Sequence, residues 1–174
     1  MLTEGRPRLA SIEAAGADER DRALALVAAV EQGSEHPLGQ TLLRAARERR
    51  LDVPAARTFT ALPGRGAEAT VDGRLLWAGG PRLAAERTGA QPAEASVVAE
   101  RGETPVVLGE GARVLAVFGL ADQPRPEAGD AVAALRRGGV RRVVMLTGDN
   151  EAVARAVAAR VGVTEWRAGL LPEE

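Results

Sequence analysis

Apolar residues recur at helical spacing from Ala17 to Gln32, with acidic residues in the first turn and Asp18 placed to cap it. This predicts a first helix. A second is predicted from Pro37 to Arg49, opened by a proline and closed by arginines that suit the negative end of the helix dipole. Beyond Pro54 the period shortens. Arg57–Ala61, Ala67–Val71 and Arg74–Ala78 read as strands, the last two joined by the hairpin turn Asp72-Gly73. Pro81–Arg87 and Pro92–Arg101 read as short helices, and Thr104–Leu108 and Arg113–Leu120 as strands turned at Glu110-Gly111.

After Ala121 the order changes. A helix over Glu127–Arg137, an apolar strand over Arg142–Leu146 and a helix over Glu151–Arg160 alternate in the way of a parallel sheet. The expected fold class is therefore α/β. An α+β unit, an antiparallel sheet with its helices segregated from it, is followed by a smaller parallel α/β part, with the boundary near residues 116–124.

Composition removes several chemistries. The 174 residues carry a formal net charge of −1, which gives no reason to expect nucleic acid or an anionic membrane surface. All 23 basic residues are arginine, so a P-loop lysine and a Schiff-base lysine are excluded. Cysteine is absent and there is one histidine, which excludes disulfides, thiol catalysis and a histidine-rich metal site. The longest apolar runs, Ala23–Val30 and Val114–Ala121, fall far short of the roughly 20 residues of a membrane span. The opening residues lack a signal-peptide pattern, so a soluble cytosolic chain, or a soluble piece of a larger one, is expected.

Three short stretches carry candidate chemistry. Ser34-Glu35-His36-Pro37-Leu38 puts the single histidine in a turn whose proline restricts the backbone. Its ring could hydrogen-bond or stack on a base, or merely serve the local turn; Glu31 and Glu35 could accept from an amino group, or be solvated charges. Gly64-Arg65-Gly66 permits close backbone approach to a ligand, although no dinucleotide-binding fingerprint follows it. Thr147-Gly148-Asp149-Asn150 stands between a strand and a helix, where a hydroxyl and helix amides can hold a phosphoryl oxygen and Asp149 can serve a cation; capping alone would also explain it. Asp122 could cap the helix after Pro-Arg-Pro.

Taken in order, these stretches resemble the cytoplasmic ATP-binding region of the heavy-metal branch of the P-type ATPases. Leu2-Thr3-Glu4-Gly5 resembles the tail of that family's phosphorylation motif, Asp-Lys-Thr-Gly-Thr-Leu-Thr-Glu-Gly. Ser34–Leu38 matches the branch's Ser-Glu-His-Pro-Leu signature, Gly64 and Gly66 its Gly-x-Gly loop, Asp122–Pro126 its Asp-x-x-Arg-Pro segment and Thr147–Asn150 its Thr-Gly-Asp-Asn. The resemblance implies a tail or linker over 1–9, a nucleotide-binding domain over 10–118 and part of a haloacid-dehalogenase-like phosphorylation domain over 119–174. It implies ATP and magnesium as cofactors, with Glu31, Ser34, Glu35, His36, Gly64, Arg65, Gly66, Gly79, Gly80 and Asp122 on the nucleotide. His36 would orient the adenine, and Thr147 and Asp149 would support the phosphoryl group. It also implies transmembrane and actuator domains as partners, a place on the cytoplasmic face of the membrane, and a heavy-metal cation as cargo.

The departures are as informative. Neither Asp-Lys-Thr-Gly nor the family's Gly-Asp-Gly-x-Asn-Asp occurs in the sequence, so no acceptor aspartate and no complete metal site is expected within it. Gly79-Gly80 stands where copper-type relatives have Gly-Asn; Gly80-Pro81 and the segment Val161–Trp166 look nearer to the zinc, cadmium and cobalt type. Two other readings are a soluble haloacid-dehalogenase-type phosphatase and a non-catalytic nucleotide-binding module. The phosphatase needs an early Asp-x-Asp, whereas the first aspartate here is Asp18. Residues beyond about 120 are expected to be the less stable part, with some of their sheet unpaired.

Overall fold

The computed structural model describes residues 2–14, 16–149 and 151–170. Six antiparallel strands form one sheet in the order β1-β6-β5-β4-β3-β2: β1 (Arg8–Glu13), β2 (Ala56–Leu62), β3 (Gly66–Val71), β4 (Arg74–Gly79), β5 (Thr104–Glu110) and β6 (Arg113–Ala121). Four helices flank it: α1 (Ala17–Val30), α2 (Pro37–Glu48), α3 (Pro81–Thr88) and α4 (Ala93–Glu100). The predicted elements are present within a few residues. One strand of this sheet was not foreseen: β1 has weak alternation, Arg-Leu-Ala-Ser-Ile-Glu, and is defined by pairing with β6 more than 100 residues away.

The side-chain period of two explains the layers. Leu76 and Ala78 of β4, Val106 and Leu108 of β5, and Ala116, Phe118 and Leu120 of β6 face α1 and α2. Their neighbours Trp77, Val107 and Val117 face Leu83 and Ala84 of α3 and Ala95 and Val98 of α4. Both faces are covered, so β5 and β6 read as continuous apolar runs instead of alternating ones. At the turns, Asp72 and Gly73 have φ of 50° and 76°, as a two-residue hairpin requires. The second hairpin turns at Gly111-Ala112, one residue later than expected. The first helix starts from Gly16, with no side-chain cap; Asp18 lies inside the first turn, where it still complements the dipole.

A second, smaller cluster lies beyond Ala121. Helices α5 (Ala128–Arg137) and α6 (Glu151–Val161) pack Val132, Ala154, Ala158 and Val161 against Met145 of β7 (Val144–Leu146), which pairs in parallel with β8 (Glu165–Arg167). Leu2 packs into this cluster and not into the large sheet. The two residues flanking Met145 are uncovered, Val144 at 42% and Leu146 at 67% exposure. The expected division after 118 falls inside β6. Among the described residues no helix is long and apolar enough to cross a membrane.

Candidate functional site

The turn between α1 and α2 is built by its own side chains. After α1 the chain makes one 3-10 turn, Glu31–Gly33, then extends through Ser34. His36 is the N-cap of α2: the Leu38 amide donates to its Nδ1 at 3.3 Å, while the His36 amide donates to Ser34 Oγ at 3.2 Å. Pro37 takes the first helical position, where a missing N–H costs nothing. Because Nδ1 accepts, the neutral ring carries its proton on Nε2.

Glu31 is 7% exposed. Burial pushes its pKa above the ordinary 4.5, and the Ser34 hydroxyl and the nearby His36 pull it part of the way back. The carboxylate fits because residue 39 is glycine: a Cβ there would collide with Glu31 Oε2 and stand 3.0 Å from Ser34 Oγ. A folded-state pKa above the unfolded one means that ionising Glu31 costs stability, so its stabilising contribution is complete below the unfolded pKa and lost as pH rises through the raised value. Glu31→Gln is therefore expected to be more stable than the parent chain at pH 7, with the difference shrinking toward pH 4. Urea denaturation of both proteins across that range checks it; a difference independent of pH would contradict it.

Across from this turn lies the loop between β2 and β3. The Arg65 amide donates to the Leu62 carbonyl at 2.9 Å, and Gly64 has φ 68° with nothing within 4 Å of where a Cβ would stand. Gly80 is likewise open. Gly66 and Gly79 are different, being direct partners in the β3–β4 ladder. A Cβ on Gly66 would strike the Ala78 carbonyl, and one on Gly79 would strike the Arg65 carbonyl. Two of these four glycines thus leave room beside the loop, and two let the strands close.

One pocket of about 640 Å³ joins these parts. Glu31, Ser34, Glu35 and His36 line it on one side, and Gly64, Arg65, Gly66, Gly79 and Gly80 on another. Its apolar wall comes from Leu38, Phe59, Leu62, Pro105 and Val106, none of which the sequence had singled out as site residues. A concave apolar site with a few polar groups at its rim suits a small molecule carrying a flat ring.

The other candidates lie elsewhere. Asp122 lines no part of this pocket and does not cap α5, whose N-cap is Glu127. Its carboxylate accepts the amides of Gly5 at 3.0 Å and Arg6 at 3.1 Å, tying the first residues to the segment that leaves β6. Thr147 and Asp149 are also outside the pocket, at the end of β7. The Thr147 hydroxyl donates to Asp149 Oδ2 at 2.9 Å and accepts the Asp149 amide at 3.1 Å. Asn150, the last residue of that run, lies outside the described residues. Among the described residues no three acidic or imidazole groups converge to hold a cation, so the residues present do not make a magnesium site by themselves.

The family of haloacid dehalogenase-like hydrolases matches residues 2–173. The zinc-exporting P-type ATPase of Mycobacterium marinum is 37% identical over 99% of this chain and 24% of its own length. The probable copper-exporting P-type ATPase V of Mycobacterium tuberculosis is 38% identical over 99% of this chain and 23% of its own. A crystal structure of a zinc-transporting PIB-type ATPase in the E2.Pi state superposes with a TM-score of 0.71 at 36% identity, covering 99% of this chain and 28% of that one. The chain thus spans about a quarter of the relatives it matches. It belongs to the haloacid dehalogenase-like hydrolases and is homologous to the cytoplasmic domain of the heavy-metal P-type ATPases.

Proposed function

We propose that the pocket between the His36 turn and the Gly64 loop binds ATP, and that the chain is the ATP-binding portion of a pump that moves a heavy-metal cation. The observation that carries this is the convergence of Glu31, His36, Gly64 and Gly80 on one concave, largely apolar site. The Nε2–H of His36 is free to donate to a purine ring nitrogen. Glu31 and Glu35 can accept from an exocyclic amino group, and the open backbone at Gly64 and Gly80 can approach the sugar and phosphates. Division into a tail (1–9), a nucleotide-binding domain (10–118) and part of a phosphorylation domain (119–174) goes with this reading.

In such a pump ATP hands its γ-phosphate to an aspartate, a transfer that rests on positioning and charge neutralisation. The sequence contains no Asp-Lys-Thr-Gly, so the acceptor is supplied from outside these residues, and this portion alone is expected to be catalytically silent. Thr147 and Asp149 would support the phosphoryl group. The actuator and transmembrane parts would be its partners, at the cytoplasmic face. Similar identities to zinc and copper exporters leave the ion undecided by this region, which supports a cargo chosen elsewhere.

ATP is expected to bind weakly, with a Kd from about 0.1 to a few mM. Trp77 is sealed at 1% exposure and lines no part of the pocket, so amide NMR is the better readout. Shifts should concentrate at residues 31–39, 64–66 and 79–80; their absence at several millimolar ATP ends the proposal. Because His36 also caps α2, His36→Ala should cost both affinity and about 1 kcal/mol of stability. His36→Ser restores a cap without the ring, and is expected to regain the stability while leaving binding about tenfold weakened. If it binds ATP as the parent does, the base-holding role is wrong.

A further inference from the structure

A second hollow, of about 490 Å³, lies where the stretch entering β1 runs beside α2, and it shares no lining residue with the ATP pocket. Thr41, Arg44, Ala45 and Glu48 recur at helical spacing and put one stripe of α2 on it. Arg6 and Arg8 close it from the strand side, and Arg49 from the end of the helix. Four arginines and one glutamate thus surround one concavity, in a chain whose formal net charge is −1.

The arginines are not alike. Arg49 reaches Asp21 at 2.9 Å. Among the described residues Arg6, Arg8 and Arg44 reach no carboxylate, and all three are exposed. Glu48 follows Arg44 by four residues, the weaker order for a helical ion pair. Arg44 is nonetheless held in place. Thr41, only 2% exposed, donates its hydroxyl to the Pro37 carbonyl at 2.9 Å and accepts from Arg44 Nη2 at 3.2 Å. The same Nη2 stands 3.5 Å from the Pro7 carbonyl, so the guanidinium is pinned through one nitrogen. Its Nε and Nη1 find no partner among the described residues. Arg6 is fixed by its main chain, whose amide Asp122 accepts at 3.1 Å. Three like charges gathered around one hollow gain nothing for the fold, because they repel one another.

We propose that this hollow is a second anion site, which takes a small, multiply charged phosphate compound through Arg6, Arg8 and Arg44. A guanidinium offers two parallel N–H groups to two phosphate oxygens, and three of them match the charge of a diphosphate group. No aromatic ring lines the hollow, so the site reads phosphates and not a base. It needs nothing from the ATP pocket. The two are joined only through α2, whose first turn lines that pocket and whose later turns line this hollow.

The test titrates inorganic diphosphate into the whole chain at low salt, followed by amide NMR, with R8Q, R44Q, E48Q and R47Q alongside. Shifts are expected at residues 6–9 and 41–48, saturating with a Kd of about 1 mM or below and weakening as salt is added. R8Q and R44Q should each weaken binding about five- to twentyfold. The Arg8 side chain has no partner among the described residues, so R8Q reads the loss even if R44Q folds poorly. E48Q should tighten binding. R47Q removes an exposed arginine of α2 that lies outside the hollow, and should change binding by less than about twofold. If R47Q loses as much as R8Q, or sulfate binds as tightly as diphosphate, the chain collects anions diffusely and the site is wrong. If phosphatidylglycerol vesicles shift these residues and diphosphate does not, the surface meets a lipid and the proposal falls as well. ATP shifts at Gly64 and Gly80 are read on the same proteins, so either site can fail while the other stands.

Discussion

Gly66→Ala is expected to cost about 3–5 kcal/mol and to remove nucleotide binding with it. Residue 66 has φ 149°, a region that side chains avoid, and the added methyl would meet the Ala78 carbonyl carbon at 3.0 Å and the Gly79 α-carbon at 2.7 Å. Those atoms are backbone of the paired strand β4, so no rotamer change relieves the contact; β3 and β4 must separate where the pocket's floor begins. For a chain of this size such a loss lowers the melting temperature by roughly 10 °C. Gly64→Ala, two residues away, is the control. It shares a positive φ but has nothing within 4 Å, so it should cost only about 1 kcal/mol. Thermal melts of the two variants side by side decide the matter. Equal losses would mean that loop strain, not strand closure, explains the glycine pair.

Trp77→Ala should cost about as much for a different reason. The indole is 1% exposed, lies over Gly109 and donates its Nε1–H to the Gly111 carbonyl at 2.9 Å. Truncation of a buried tryptophan typically costs about 3–5 kcal/mol through lost contacts and the cavity left behind, and here one carbonyl loses its donor as well. Urea denaturation followed by circular dichroism gives the value; a loss under 1 kcal/mol would mean that the α3–α4 face contributes little. The variant has a second use. Its one remaining indole is Trp166, whose Nε1 donates to Glu151 at 2.8 Å in the small parallel unit. Fluorescence then reports that unit alone, and a transition that precedes the circular dichroism change would show the two units unfolding separately.

Much of this was legible because local chemistry and the fold agree. Pro37 at a helix start, Asp72-Gly73 at a turn and the doubly buried runs of β5 and β6 each carry their structure in adjacent residues. What escaped depends on distant partners. β1 becomes a strand because β6 offers it an edge. Asp122 has the composition of a cap or a ligand, but the amides that claim its carboxylate lie 117 and 116 residues away. Phe59 was missed because regular alternation hides the slip of β2 against β3 between Arg57 and Thr60; the one signal was a lone aromatic between two threonines. The glycines were recognised, but their division into two that leave room and two that close strands is visible only in the backbone.

Residues near the start and residues just past β6 run side by side. Thr3 bridges Pro124, the Glu4 amide donates to the Gln123 carbonyl at 3.0 Å, and the Arg125 amide donates to the Leu2 carbonyl at 2.9 Å. The six-stranded unit therefore enters and leaves through one doorway, as a lobe inserted into the smaller fold. Closing so long a loop costs only a slowly growing entropy, so lobes of very different length could hang from the same two paired segments. Hydrogen bonds between the two segments also hold the lobe at its base by both ends of its chain, where a single tether would hold it by one.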